Sequence, residues 1–184
     1  MNDIIVMALT AEAPLLFQYK NVFEIGVGKV NAALNTMQLI KEHKPKRVIN
    51  IGTAGGITLH TGIYRVRHVL QHDFNLLSLG LQPGQIANDQ YSFIDLHCEG
   101  YTCATGDVHV TEREKLRVKC DMVDMESYSI AKACVQTNTE CIIYKYISDQ
   151  ADENAGTTWK EQVAAGEDLY KKILQEYNVE LIGG

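Results

Sequence analysis

The sequence predicts an α/β fold: three α/β/α layers around a central, mainly parallel mixed sheet. Three observations predict it. Short apolar runs alternate with segments of helical periodicity along the 184 residues. Strands separated by helices imply a largely parallel sheet covered on both faces. Polar or glycine-rich turns (Thr10–Glu12, Gly26–Gly28, Gly52–Gly56, Gly106–Asp107, Ser148–Asp149) follow the apolar runs, and α/β sheets bind ligands at those carboxyl ends. No repeat, linker or low-complexity tract interrupts the pattern, so one domain over residues 1–184 is expected.

In chain order, "DIIVMAL" reads as a first strand and "NVFEIGVG" as a second that stops at glycines. "KVNAALNTMQLIKEH" has helical spacing and should end before Pro45. "RVINIG" reads as a buried strand that leads into a small-residue turn, "TAGGI". "IYRVRHVLQ" alternates as a half-exposed strand does, and "YTCATGD" is a strand ending at Gly106 and Asp107. "CDMVDMES" leads into the helix "SYSIAKACVQ", and "CIIYKYIS" is the next buried strand. One amphipathic helix is expected from Thr158 to Tyr177.

Composition narrows the function classes. The apolar fraction of 46% and charged fraction of 22% suit a folded globular chain. A formal net charge of -6 argues against a nucleic-acid surface, which needs concentrated basic charge. The basic clusters Lys44, Lys46, Arg47 and Arg113, Lys115, Arg117, Lys119 are interrupted and read as solvated faces. Five cysteines at spacings that match no zinc pattern read as reduced thiols. The N-terminal stretch lacks the basic residues of a signal peptide, and its apolar run is too short to span a bilayer, so a cytoplasmic location is expected.

Each candidate residue has a plain structural reading beside a functional one. "GTAGG" is a tight turn or a backbone anion nest, and it matches neither the P-loop nor the dinucleotide fingerprint. Glu12 is a dipole-complementing acid in a helix first turn capped by Thr10, or a site acid. Glu126 begins a helix, but Met125 stands between it and a second carboxylate just after a strand. Asp149 ends an apolar strand, where an unpartnered carboxylate is costly, and Ser148 can hydrogen-bond it locally. His109 is a base or a stacking surface, and Asp152 reads as structural.

Taken in order, "ALTAEAPLL", "GVGKVNAA", "VINIGTAGGI", "HVLQHDF", "ATGDVHV", "VDMESYSIAKAC" and "YISDQAD" resemble the purine nucleoside phosphorylase and uridine phosphorylase superfamily. The branch they resemble is the methylthioadenosine/S-adenosylhomocysteine nucleosidases. The resemblance implies a nucleoside phosphorylase-like fold and hydrolysis of an adenine nucleoside bearing a 5′-thio or 5′-deoxy group. It implies Asp149 as the acid that protonates the purine, oriented by Ser148, and Glu12 as the base for water, aided by Thr53. Glu126 would hold the ribose hydroxyls with Met125 against the sugar. The backbone around Val108 and Val110 would read adenine, His109 would stack on it, and Trp159 would close over the ligand. No cofactor or metal is implied. A homodimer is, with "LSLGLQPGQ" reaching the neighbour's 5′ pocket.

The chain departs from the pattern by shortened segments near Tyr19–Asn21 and Asp89–Tyr101. Ser127 stands where alanine is usual, and Lys145 where arginine is usual. Lys145 either faces the water side of the sugar, sharing a strand face with Ile147 and Asp149, or reaches solvent. Glycine turns without adjacent arginines favour hydrolysis over phosphorolysis. The alternatives are a nucleosidase or phosphorylase for another purine nucleoside, such as futalosine, and a non-catalytic nucleoside binder.

Overall fold

The computed structural model describes residues 3–177; residues 1–2 and 178–184 of the expected domain lie outside the described residues. Strand β1 (Ile4–Met7) is apolar throughout and buried at every position. Burying side chains of this size contributes roughly 1.5–3 kcal/mol each. Strand β2 (Val22–Glu24) and strand β3 (Arg47–Gly56) flank β1, both parallel to it. Helix α1 (Lys29–His43) crosses between them and ends at Lys44, which takes a left-handed conformation (φ 45°) immediately before Pro45. That stop is the expected one, since proline disfavours helix at the residue before it.

Beyond β3, the strands are β4 (Ile63–Gln71), β5 (Phe93–Asp95), β6 (Tyr101–Thr105), β7 (Met122–Asp124) and β8 (Glu140–Asp149). β3 pairs in parallel with β8, which pairs antiparallel with β4; β4, β6 and β7 then run parallel, and β7 returns antiparallel to Gly55 and Gly56 of β3. Five strands therefore close a ring within a mixed sheet in which most pairings are parallel. β5 adds an edge antiparallel to β4. Helix α2 (Ser127–Thr137) packs with α1 against Ile4, Val6 and Val48, while Ile49 and Ile51 face the opposite cluster around Met7 and Tyr170. β3 is buried on both faces, which accounts for its nearly unbroken apolar run.

Two elements differ from the sequence-based expectation. "TAGG" is the end of β3 rather than a turn, because β7 and β8 supply pairing partners for its backbone. The expected helix from Thr158 to Tyr177 is two helices, α3 (Ala155–Gln162) and α4 (Glu167–Leu174). Residues 163–166 carry the bend between them. Arg47, expected on a solvated face, instead donates to both oxygens of buried Asp3 at 3.0 and 2.6 Å. The five cysteines are free, with Cys103 and Cys134 fully buried. No helix among the described residues is long and apolar enough to cross a membrane.

Candidate active site

A cavity of about 300 Å³ opens where β1, β3, β7 and β8 end. It collects Glu12, Thr53, His109, Met125, Glu126, Ser148, Asp149 and Trp159, residues up to 147 positions apart in the chain. Its apolar wall includes Ala8, Leu9, Val27 and Ala54. Ten of the eleven site residues expected from sequence lie in this cavity or border it, and Lys145 is the exception.

Glu12 closes a three-residue 3-10 turn after β1 and is only 4% exposed. An acid that only complements a helix dipole would be solvated, and Glu12 is not. Its Oε1 accepts from the backbone N–H of Thr53 at 2.7 Å and from the Thr53 hydroxyl at 2.9 Å, and its Oε2 accepts from the Leu9 N–H at 3.1 Å. Thr10 does not cap this turn; its hydroxyl and its N–H both donate to Glu24. Gly52 leaves the room Glu12 needs, because a Cβ there would lie 2.9 Å from Glu12 Oε1 and 3.4 Å from Lys145 Nζ.

Asp149 sits at the end of β8, 5% exposed. Its Oδ2 accepts from the Ser148 hydroxyl and its Oδ1 from the Ala151 N–H, each at 2.9 Å. The β3–β8 register slips here: Ala54 pairs Ile147, but Gly55 pairs Asp149. One extra residue on β8 makes a bulge, and bulges re-aim side chains. Asp149 therefore does not continue the face of Lys145 and Ile147, as plain alternation predicts. Ser148 is the inserted residue, and it supplies the hydroxyl that holds Asp149.

Glu126 precedes α2 and turns its Oε1 to the Gly28 N–H at 2.9 Å. Gly28 has φ +89° and begins α1, a backbone geometry that glycine adopts without strain. Burial, then the charge of Asp124, push the Glu126 carboxyl up to about 7, against the opposing pull of Lys145 and the Gly28 N–H. Val108 and Val110 line a small recess beside the main cavity with Gly55, Met125 and Asp149, and His109 borders both. Trp159, on α3, donates its Nε1–H to the Thr53 hydroxyl at 2.9 Å.

Lys145 reaches neither solvent nor the cavity lining. It is 1% exposed, and its Nζ lies 2.9 Å from Asp124 Oδ2. Burial works against its charge, but Asp124, Glu126 and Glu12 together hold its pKa above the ordinary lysine value. Asp124 is likewise opposed by burial, yet Lys145 and the hydroxyls of Ser127 and Thr105 keep it below the usual carboxylate range. Those hydroxyls lie 2.5 and 2.6 Å away. Ser127 and Lys145, two of the departures noted in the sequence, thus meet at one carboxylate.

Asp124, Thr105 and Tyr170 were not singled out from sequence. Asp124 left a signal, as the second acid beside Met125. Tyr170 left none: its hydroxyl donates to the Gly52 carbonyl at 2.6 Å from 118 residues away.

A family model described as the phosphorylase superfamily matches residues 18–75 and 64–182. The chain is 31% identical over 174 residues to the 5′-methylthioadenosine/S-adenosylhomocysteine nucleosidase of Buchnera aphidicola, covering 80% of this chain and 75% of that one. It is 30% identical over 165 residues to the protein of that name from Staphylococcus epidermidis, covering 74% and 71%. A Helicobacter pylori MTAN mutant with 5′-methylthioadenosine in its active site superposes with a TM-score of 0.84 at 22% identity, over 95% of this chain and 98% of that one. A futalosine hydrolase mutant from the same organism gives 0.85 at 21%, over 95% and 97%. The structural likeness speaks to the fold alone, but the matched model spans most of the sequence, and the chain belongs to the phosphorylase superfamily.

Proposed function

We propose that this chain hydrolyses the N-glycosidic bond of a 5′-thio-substituted adenine nucleoside, of the methylthioadenosine and S-adenosylhomocysteine class, and releases adenine. The observation that carries the reading is that two buried carboxylates, Glu12 and Asp149, border one cavity that also holds Glu126 and Met125. The curated relatives bear the name of that activity.

Purine leaves a sugar readily only when protonated, and the sugar passes through a state with oxocarbenium character. Asp149, held by Ser148, gives the proton to the imidazole side of the base. Glu12, fixed by Thr53, takes a proton from the attacking water. Glu126 accepts hydrogen bonds from the ribose hydroxyls while Met125 packs on the ring, and the carboxylates stabilise the positive charge growing on the sugar. His109 stacks on adenine, whose edge meets the backbone near Val108 and Val110. Val27, Leu9 and Trp159 offer an apolar wall to the 5′ substituent.

Lys160 is the one cation among the described residues that line the cavity, and no arginine is present to hold phosphate, which favours water as the acceptor. The proposal extends to one domain acting as a homodimer. Exposed Leu77 and Leu79, together with Val30 and Leu34 on α1, leave apolar surface that a second copy would cover. The proposal includes a role in methionine salvage in the cytoplasm.

Adenine release from methylthioadenosine, S-adenosylhomocysteine and unsubstituted adenosine tests the reading. Preference for the 5′-thio substrates is expected. Absence of adenine from all three would overturn it.

A further inference from the structure

We infer that Trp159 is a positioning residue for the general base, acting through its indole N–H as well as through the apolar face of its ring. The inference rests on the proposed hydrolysis, in which Glu12 activates water. Three groups form a line: Trp159 Nε1 donates to Thr53 Oγ1 at 2.9 Å, and Thr53 Oγ1 donates to Glu12 Oε1 at 2.9 Å. A hydroxyl has one proton to give. With the indole N–H on its acceptor side, the Thr53 hydroxyl is left to direct that proton at Glu12. The Thr53 N–H and the Leu9 N–H complete the hold on the carboxylate. A phenylalanine in place of Trp159 would keep the wall but leave the Thr53 rotor free.

The C-terminal helices are arranged to make this contact. Trp159 and Tyr170 are eleven residues apart, so on one straight helix they would share a face but stand about 16 Å apart along its axis. The bend at 163–166 brings both to adjacent residues of β3: Trp159 to the Thr53 side chain, and Tyr170 to the Gly52 carbonyl at 2.6 Å. The Gly52–Thr53 peptide, whose N–H also holds Glu12, is thereby gripped from α3 and from α4. The seat of α3 against the cavity and the pose of the base become one event.

A double-mutant cycle tests this. Trp159→Phe is expected to lower kcat about three- to tenfold, the range of one neutral hydrogen bond, with KM little changed. In a Thr53→Val background the same substitution is expected to cost nothing further, whereas in a Thr53→Ser background, which keeps the hydroxyl, it is expected to cost the same three- to tenfold. An unchanged kcat in Trp159→Phe, or an equal loss in the Thr53→Val background, would overturn the inference. A second readout needs no substrate. Trp159 is the sole tryptophan of the chain, so the emission of the ligand-free protein reports on its N–H partner. Thr53→Val is expected to shift the emission maximum and Thr53→Ser to leave it in place. No shift in Thr53→Val would overturn the bond even if hydrolysis stands. A protein with that shift but no adenine release would overturn the proposed reaction instead.

Discussion

Lys145 Nζ lies 2.9 Å from Asp124 Oδ2, with Lys145 1% exposed and Asp124 8%. The pair joins β8 to β7, strands that are not hydrogen-bonded to each other but both flank the end of β3. It carries the one buried ammonium among the described residues, beside a cavity lined by four carboxylates, Glu12, Asp124, Glu126 and Asp149. Breaking such a pair from one side leaves an uncompensated buried charge, which costs about 3–5 kcal/mol. Lys145→Met should therefore lower stability by that order in urea unfolding, and Asp124→Asn should do likewise. The Asp124→Asn, Lys145→Met double variant should recover most of the loss. Additive losses would show that the two charges do not depend on each other.

This pair also marks what sequence could and could not give. A lysine inside "CIIYKYIS" and an aspartate after "MV" are each out of place in apolar strands, so the need for partners was legible. That they partner each other was not, because 21 residues and two strand registers separate them. The α1 boundaries were legible from periodicity and Pro45, since a local pattern sets them. The bulge at Ser148 was not, because it arises from the β3–β8 register and not from any local signal. For the same reason plain alternation put Asp149 on the face of Lys145. The helix break at 163–166 escaped because the apolar spacing alone does not show that Trp159 and Tyr170 must both reach β3.

Glu126 supplies a pH signature. Its carboxyl is raised to about 7 from 4.5, by burial first and then by Asp124. The folded state thus binds a proton that the unfolded chain has already released, and its stability falls as pH rises from about 4.5 through 7. Glu126→Gln cannot ionise. Its melting temperature should match the unsubstituted protein at pH 4 and exceed it increasingly up to pH 8. A constant difference across that range would remove Glu126 as the titrating group.

Gly52 tests how tightly Glu12 must be posed. Its φ does not lie in the left-handed region, so alanine there acts through contact, with a Cβ placed 2.9 Å from Glu12 Oε1. Gly52→Ala should displace the carboxylate and lower turnover by about 10²-fold, the scale of losing a positioned base. Calorimetric binding of adenine, which the proposed reading places against Asp149, Val108 and Val110, should survive. Unchanged turnover would show that Glu12 tolerates movement or takes no part.

Asp149→Asn keeps the shape and cannot serve as the acid of the proposed reaction. Turnover should fall by about 10²–10⁴-fold while the melting temperature stays close to that of the unsubstituted protein. Activity near the original level would take the acid role from Asp149.

In the proposed reaction water, activated by Glu12, attacks the sugar carbon while Asp149 protonates the leaving purine. Turnover of methylthioadenosine in ¹⁸O-labelled water with inorganic phosphate present tests it most directly. Free methylthioribose carrying one ¹⁸O at the anomeric position is expected, at a rate that phosphate does not change. Unlabelled sugar 1-phosphate as the product, or adenine release that requires phosphate, would contradict it.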